Sequence, residues 1–460
     1  MARYKDLADK FITDIQTGKL KQGAKLPSLR LLAKQHSVSV STAVSCYQEL
    51  ESLGWITARP QAGFYVSHRH SSQRSVEWLQ FESKVSQVTR PIYQAPSYTG
   101  PLGVSTAQLN SEARSELENC FRRALKRMGE SATRYPAYQG EPFLRNTLSE
   151  HFTDLGFPIA AEEMVITHGC ISAIKSALES CTKTGDAVAI SSPCFNGLVE
   201  LLAQMSLNIV EIPSLDDGID LDQLEHHLSN GNIQAGLFCT SHMNPQGITM
   251  SVQQKQRLAH LASQYQTPII EDDVYIELSH SNHFPLPAKY YDRDGYVIWC
   301  GSISKTISAG YRLGWCLPGR YFQPYLVRFA SGSFGVATPI QLAIADYISS
   351  GLYAKYMRKK RFELLEYKRD YSAYLEEYLP SSVRVSAPLG GLVLWLQIPE
   401  LDSDAFATAV AEQQLDIRLG ELFSSLPLYQ DCVRINIGHP LDDESKRDLS
   451  KLVNLIKIYS

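Results

Sequence analysis

Residues 301–315 read GSISKTISAGYRLGW. Lys305 follows Ser302 and Ser304, and Arg312 comes seven residues later in a segment with two glycines and an aromatic end. The neighbours Trp299, Cys300 and Ile303 are apolar, which implies that a strand end buries the lysine. Desolvation disfavours the ammonium form and leaves a better nucleophile and base. A guanidinium at this spacing suits a phosphate group. An amine that attacks an aldehyde beside a phosphate ligand is what a pyridoxal phosphate (PLP) site requires. The ordinary alternative is a surface lysine.

Working outward, Asp272 closes the apolar run Pro268–Glu271, and Tyr275 lies three residues on. A carboxylate there could bind a pyridinium nitrogen and keep the ring an electron sink, or it could be a common strand-end acid. Tyr275, and Asn244 in the turn Asn244-Pro245-Gln246-Gly247, could hydrogen-bond a ring hydroxyl oxygen; Tyr275 could equally be core. Gly169, Cys170 and Ile171 follow the strand Met164-Val165-Ile166 and open a helix, so their backbone N–H groups could hold phosphate. Phe195, after Pro193 in a loop at another strand end, is a core residue or a stacking platform. Arg434, inside Val433-Arg434-Ile435, demands an anionic partner, and a substrate carboxylate is a natural one. Further strands are expected at 187–190, 208–212, 235–239, 296–300 and 312–317, with helical stretches such as 252–265 between several of them. That alternation implies a mostly parallel sheet covered on both faces. After Pro339 come long helices, then strands at 392–398 and 433–437, which imply a smaller α/β domain.

The first seventy residues have another character. They hold ten Lys/Arg against five Asp/Glu, a balance of +5, whereas the whole chain carries −4 and the remainder therefore −9. A basic module on an acidic body suits a polyanion bound at one end only. Leu7, Ala8, Phe11, Ile12 and Ile15 repeat at helical spacing. Ser28 can cap a second helix from Leu29 to about His36, and Ser39 or Ser41 a third that runs to Leu53. Trp55-Ile56-Thr57 and Phe64-Tyr65-Val66 read as two short strands around a turn. Two helices, a third with Ser41, Thr42 and Ser45 on its polar face, and a wing carrying Arg59 suit entry of the third helix into the DNA major groove. Arg30 and Arg59 supply cations beside the duplex. Residues 69–110 read as a connector, patchy in apolar content and rich in Ser, Gln, Pro and Gly.

At 460 residues the chain has room for two or three domains. Its N-terminus lacks the apolar run of a secretory signal, and no stretch reaches membrane-spanning length. Nine scattered cysteines without CxxC pairs argue for free thiols in a reducing cytoplasm and against a zinc site, so no metal is expected.

Two resemblances follow from these motifs. LPSLRLLAKQHSVSVSTAVSCYQELESLGWITARPQAGFYV closely resembles the winged helix-turn-helix of GntR-family regulators, with Arg30, Ser39, Thr42 and Gly63 on the family pattern. Many relatives carry an arginine where this chain has Val40, so guanidinium reading of guanine from that position is absent. The ordered series YPAYQGEPFLR, THG, SSPCF, NPQG, EDDVY, SISK, YRLGW and VRINIG resembles class I, fold-type I aminotransferases over roughly 111–460. That resemblance implies that Lys305 is the internal-aldimine lysine, Asp272 the pyridinium partner and Arg312 a phosphate ligand. It also implies that Ser302 and Ser304 lie on the phosphate side, that Arg434 binds the carboxylate, and that Tyr135 reaches the phosphate of a neighbouring subunit.

A winged helix (1–68), a linker (69–110) and an aminotransferase-like domain (111–460) together resemble the MocR subfamily. The implied protein is a cytoplasmic, homodimeric regulator that binds double-stranded DNA and PLP, without a membrane. It would sense an amino acid or amine through external aldimine formation at Lys305. The rival expectation is a working aminotransferase with an accessory DNA-binding module.

Overall fold

Alternating apolar strands and amphipathic helices decide the larger part of this fold, and a small helical head precedes it. The computed structural model describes residues 3–16, 19–21, 23–52, 55–59, 63–66, 75–88, 98–281 and 283–460, and the side chains of Ser41 and Arg59 lie outside that description. The chain divides into two units, Met1–Ser75 and Val76–Ser460.

In the first unit, α1 (Arg3–Gln16), α2 (Leu29–Gln35) and α3 (Val40–Ser52) precede an antiparallel wing, β1 (Ile56–Arg59) with β2 (Gly63–Val66). Tyr47 of α3 is fully buried, donates to the Pro27 carbonyl at 2.9 Å and meets the Phe64 ring at 4.8 Å. Around it pack Leu7, Phe11, Leu32, Leu50 and Ile56, the apolar stripe that the helical spacing predicts. Ser39 is the residue before α3, and its hydroxyl accepts from Thr42 N at 3.0 Å, which satisfies one of the helix's orphan donors. Gly63 turns the wing at φ +98°, a region that disfavours other residues.

In the second unit β3 (Val85–Ser86) leads into α4 (Ser111–Met128), α5 (Pro142–Asp154), β4 (Val165–Thr167), α6 (Cys170–Cys181), β5 (Ala187–Ser192) and α7 (Asn196–Gln204). β6 (Asn208–Leu215), β7 (Gly218–Ile219), α8 (Leu221–Ser229), β8 (Ala235–Phe238), α9 (Val252–Gln264), β9 (Ile269–Asp272), β10 (Val297–Ser302) and β11 (Gly314–Leu317) follow. The main sheet runs β3-β6-β5-β8-β9-β10-β11-β4, with β7 beside β6. β6, β5, β8, β9 and β10 are mutually parallel, and β11 lies antiparallel to both β10 and β4. Every residue of β5, β8, β9, β10 and β11 is buried, as two-sided coverage by helices requires.

Then come α10 (Phe322–Ser333), α11 (Thr338–Ser349) and the long α12 (Leu352–Tyr378). They precede a smaller layer of β12 (Arg384–Val385), β13 (Val393–Gln397), α13 (Ser403–Glu412), β14 (Arg418–Leu419), β15 (Cys432–Asn436) and α14 (Asp443–Tyr459). Its sheet is antiparallel, in the order β12-β13-β15-β14. Among the described residues, no helix is long and apolar enough to cross a membrane.

Much of the stretch expected as a connector belongs to the second unit, which begins at Val76. The described parts of that stretch, 76–88 and 98–110, pack on the rest of the unit. Val76 and Leu102 are buried, Val85 and Ser86 pair with β6, and Trp78 Nε1 donates to Asp216 at 3.1 Å. The polar residues that suggest a linker supply hydrogen bonds instead: Ser83 N and Oγ both reach Gln223 Oε1, at 2.8 and 2.7 Å. Residues 69–74 and 89–97 lie outside the described residues.

Phe152, fully buried on α5, has its ring 5.0 Å from Trp299 and 5.6 Å from Trp315. Phe152→Ala removes that contact from beneath β10 and β11. It is expected to lower stability to chemical denaturation by about 3–5 kcal/mol; a loss below about 1 kcal/mol would contradict this packing.

Candidate cofactor and effector site

The C-terminal ends of the parallel strands converge on one cavity of about 160 Å³. Asp272 is the last residue of β9, and Ser302 the last of β10. Ser304 and Lys305 lie in the turn after β10, and Phe195 is the residue before α7. Cys170, Ile171, Phe195, Asn244, Asp272, Tyr275, Ser302, Ser304, Lys305 and Arg312 all line the cavity. Ligand sites of open α/β sheets form at these strand ends, where successive loops splay apart.

Lys305 Nζ donates to the Ser105 carbonyl at 2.7 Å and lies 5.6 Å from the centre of the Tyr275 ring. Burial pushes its pKa down to about 8; the nearby Arg434 and Arg312 cations act the same way, while Asp272 opposes them. Burial raises the Asp272 carboxyl above its ordinary value, and the Cys170 thiol, Lys305 and the Val274 backbone pull it back. Cys170 Sγ donates to Asp272 Oδ1 at 3.1 Å, and burial holds that thiol up at about 12, so it remains a donor. Tyr275 is buried, with its hydroxyl 3.1 Å from Ser105 Oγ and 3.3 Å from the donating Asn244 Nδ2. The other amide atom, Asn244 Oδ1, is buried with no hydrogen-bond partner among the described residues. An orphaned polar atom on a cavity wall is what a site shaped for a polar guest leaves behind.

Arg312 adopts φ 46°, ψ 50°, a left-handed conformation uncommon for a side chain of its size. Its Nη2 donates to the His168 carbonyl at 3.1 Å, and its Nη1 lies 3.5 Å from Ser304 Oγ. Gly169 makes this placement possible, because a Cβ there would lie 2.8 Å from Arg312 Nη2. The guanidinium thus lies against the start of α6, where backbone N–H groups lack helical partners. Together they form a cradle for an anion.

Gly169 itself is not a cavity-lining residue, and neither are Arg434 and Tyr135. Arg434 is buried at the middle of β15, paired in register with Trp395 on one side and Arg418 on the other, with the Phe423 ring 5.7 Å from its guanidinium. Tyr135 is 85% exposed, with its ring 6.3 Å from that of Phe334. In the head, Arg30 and Ser39 are exposed, Thr42 and Ser45 are partly so, and Ser39 Oγ and Thr42 Oγ1 are 2.7 Å apart. The side chains of Ser41 and Arg59 lie outside the described residues.

Sequence reasoning missed two features. Ser105 falls in the expected connector, and its partners are 170 and 200 residues away. Glu211 is a buried acid in the apolar strand β6, which accepts from the hydroxyls of Ser192, Ser424 and Ser425 and from Ser425 N. It thereby fixes the loop after Phe423 to the main sheet. An acidic residue flanked by Val210 and Ile212 was the available signal. All nine cysteines are free, and among the described residues no group of three His, Cys, Asp or Glu is placed to hold a metal ion.

Comparison with known proteins bears on the fold and the family. Residues 99–447 match the aminotransferase class I and II family, and residues 3–66 match the gntR family of bacterial regulatory proteins. The uncharacterized HTH-type transcriptional regulator YjiR of Escherichia coli is 30% identical over 98% of both chains, and YdcR of the same organism is 30% identical over 99% of both. The crystal structure of Pyrococcus horikoshii kynurenine aminotransferase in complex with PMP aligns with a TM-score of 0.71 at 23% identity, covering 78% of this chain and 90% of that one. At that identity the likeness speaks for the fold, that of PLP-dependent aminotransferases. With an aminotransferase-like body behind a GntR-type head, the chain belongs to the MocR subfamily of GntR-family transcriptional regulators.

Proposed function

We propose that this regulator binds PLP at Lys305 and senses an amino acid or amine there, with its winged helix on double-stranded DNA. The observation that carries the reading is the convergence of Lys305, Asp272 and Arg312 on one cavity. The residues suit the cofactor: a low-pKa amine, a buried carboxylate, an anion cradle, and an orphaned amide beside a phenol. When bound, PLP supplies an electrophilic carbon and an electron-sink ring. Lys305 would be the covalent anchor, and Asp272 would hold the ring nitrogen. Tyr275 and Asn244 would face the ring oxygen, and Phe195 would stack on the ring. Arg312, Ser302, Ser304 and the backbone of Gly169–Ile171 would hold the phosphate. In a homodimer, exposed Tyr135 would complete the neighbouring subunit's phosphate site.

The Lys305 nitrogen, when not bound to the cofactor, would be a neutral base able to accept a proton. Arg434 grips the effector carboxylate from the small layer, so occupancy draws that layer toward the main sheet. The effector shifts the DNA-binding equilibrium only as far as it binds one arrangement better than the other. In the head, Arg30, Ser41, Thr42, Ser45, Arg59 and the Gly63 wing are the proposed DNA contacts, with Ser39 serving mainly as the helix cap.

Lys305→Ala protein should take up no yellow chromophore from PLP; retention of the visible band would refute the assignment. Arg30→Ala should weaken binding to promoter fragments by about 1–3 kcal/mol and leave the chromophore unchanged. Arg434→Ala should reduce affinity for carboxylate-bearing amines roughly 10- to 100-fold, measured by spectral titration. The neutral amine is the reactive form, so acetylation of Lys305 in cofactor-free protein, followed by mass spectrometry, should rise through about pH 8. An ordinary lysine rises near about 10.4, and a midpoint there would contradict the burial of this amine.

A further inference from the structure

Ser105 touches both Lys305 and Tyr275, yet it comes from neither of the elements that carry them. Its carbonyl accepts from Lys305 Nζ at 2.7 Å, and its hydroxyl lies 3.1 Å from the Tyr275 hydroxyl. Ser105 is only 4% exposed. The strap that presents it, residues 100–108, is fastened along the strand that bears Arg434. Asn436 N donates to the Leu102 carbonyl at 2.8 Å, Asn436 Nδ2 to Pro101 at 2.9 Å, and Gln108 N to Gly438 at 3.3 Å. Gly100 N donates to Asp416 Oδ2 at 3.0 Å. At Gly103 the strap passes so close to Asp416 that a Cβ would lie 2.1 Å from its carboxylate, so only glycine fits there without displacement.

The Tyr275 hydroxyl has one proton to give. Asn244 Nδ2 already donates to its oxygen. When Ser105 Oγ donates to the same oxygen, the phenol proton is left to point into the cavity, and each incoming bond makes it a stronger donor. The Ser105 carbonyl, meanwhile, favours the charged form of Lys305 against the burial that lowers its pKa. We propose that Ser105 is a positioning residue of this site: its hydroxyl aims the Tyr275 proton at the bound cofactor, and its carbonyl holds the Lys305 amine. The hydroxyl's part rests on the reading of the cavity as a PLP site; the carbonyl's part does not.

Three variants of the full chain test the two contacts. In cofactor-free protein, Gly103→Ala pushes the strap off Asp416 and takes the carbonyl with it. The midpoint of Lys305 acetylation should fall by roughly half a pH unit or more, while Ser105→Ala and Ser105→Thr leave it at the wild-type value. In PLP-loaded protein, a weakened Tyr275 donor leaves the cofactor's ring oxygen more negative, and a neighbouring protonated nitrogen then keeps its proton to higher pH. Ser105→Ala should therefore raise the titration midpoint of the visible chromophore by roughly half a unit or more, and Ser105→Thr should restore it. A merely structural role would not move either midpoint in folded protein. An unmoved chromophore midpoint in Ser105→Ala overturns the role of the hydroxyl, and an unmoved acetylation midpoint in Gly103→Ala overturns that of the carbonyl. Wild-type protein that takes up no PLP removes the cofactor reading and the hydroxyl's role with it. A shifted acetylation midpoint in that same protein would leave the hold on Lys305 established.

Discussion

One ammonium group, taken out of water and set among competing charges, governs the second unit. Lys305 loses hydration in the turn after β10, faces Arg434 and Arg312, and has Asp272 as its counterweight. A partly buried lysine with two cations near it is a destabilised charge, and giving up the proton relieves it. That is the condition for a nucleophile at moderate pH. Asp272 is in the converse position: burial raises its carboxyl, and the Cys170 thiol, Lys305 and the Val274 backbone offset only part of that rise. Each group makes the other's burial tolerable, and a cationic ring beside Asp272 would extend the same logic.

The fold supplies this arrangement through strand direction. Five parallel strands deliver their C-terminal ends to one edge, so residues distant in sequence arrive in one place. The antiparallel β11 brings the chain back beside β10, which puts Arg312 against the start of α6 rather than beyond the sheet. The small layer then supplies Arg434 from β15, and the Glu211 cluster ties the adjoining loop to the main sheet. A buried carboxylate with several donors is costly to uncouple, so any movement of that layer must bend around this anchor or break it.

The order of motifs was legible because each is local. Lys305 and Arg312 lie seven residues apart, and Asp272 and Tyr275 three, distances that a single turn can enforce. Strand positions agreed within a few residues because fully buried parallel strands read as continuous apolar runs. Ser105 was hidden by the opposite circumstance: it belongs to a polar stretch, and its meaning lies in long-range contacts that no pattern encodes. Hydroxyls read as DNA-facing also acquired a local duty, since Ser39 and Thr42 satisfy each other at the start of α3.

In the proposed function the chemistry at Lys305 and the grip on DNA are linked equilibria, so whatever binds one site better in one state must alter the other. The most direct measurement is the affinity of PLP-loaded protein for its promoter fragment, with and without a saturating amine, in wild type and in Lys305→Ala. A change of about 5-fold or more is expected in the wild type and none in the variant. Equal affinities throughout, or the same amine-induced change in both proteins, would contradict it.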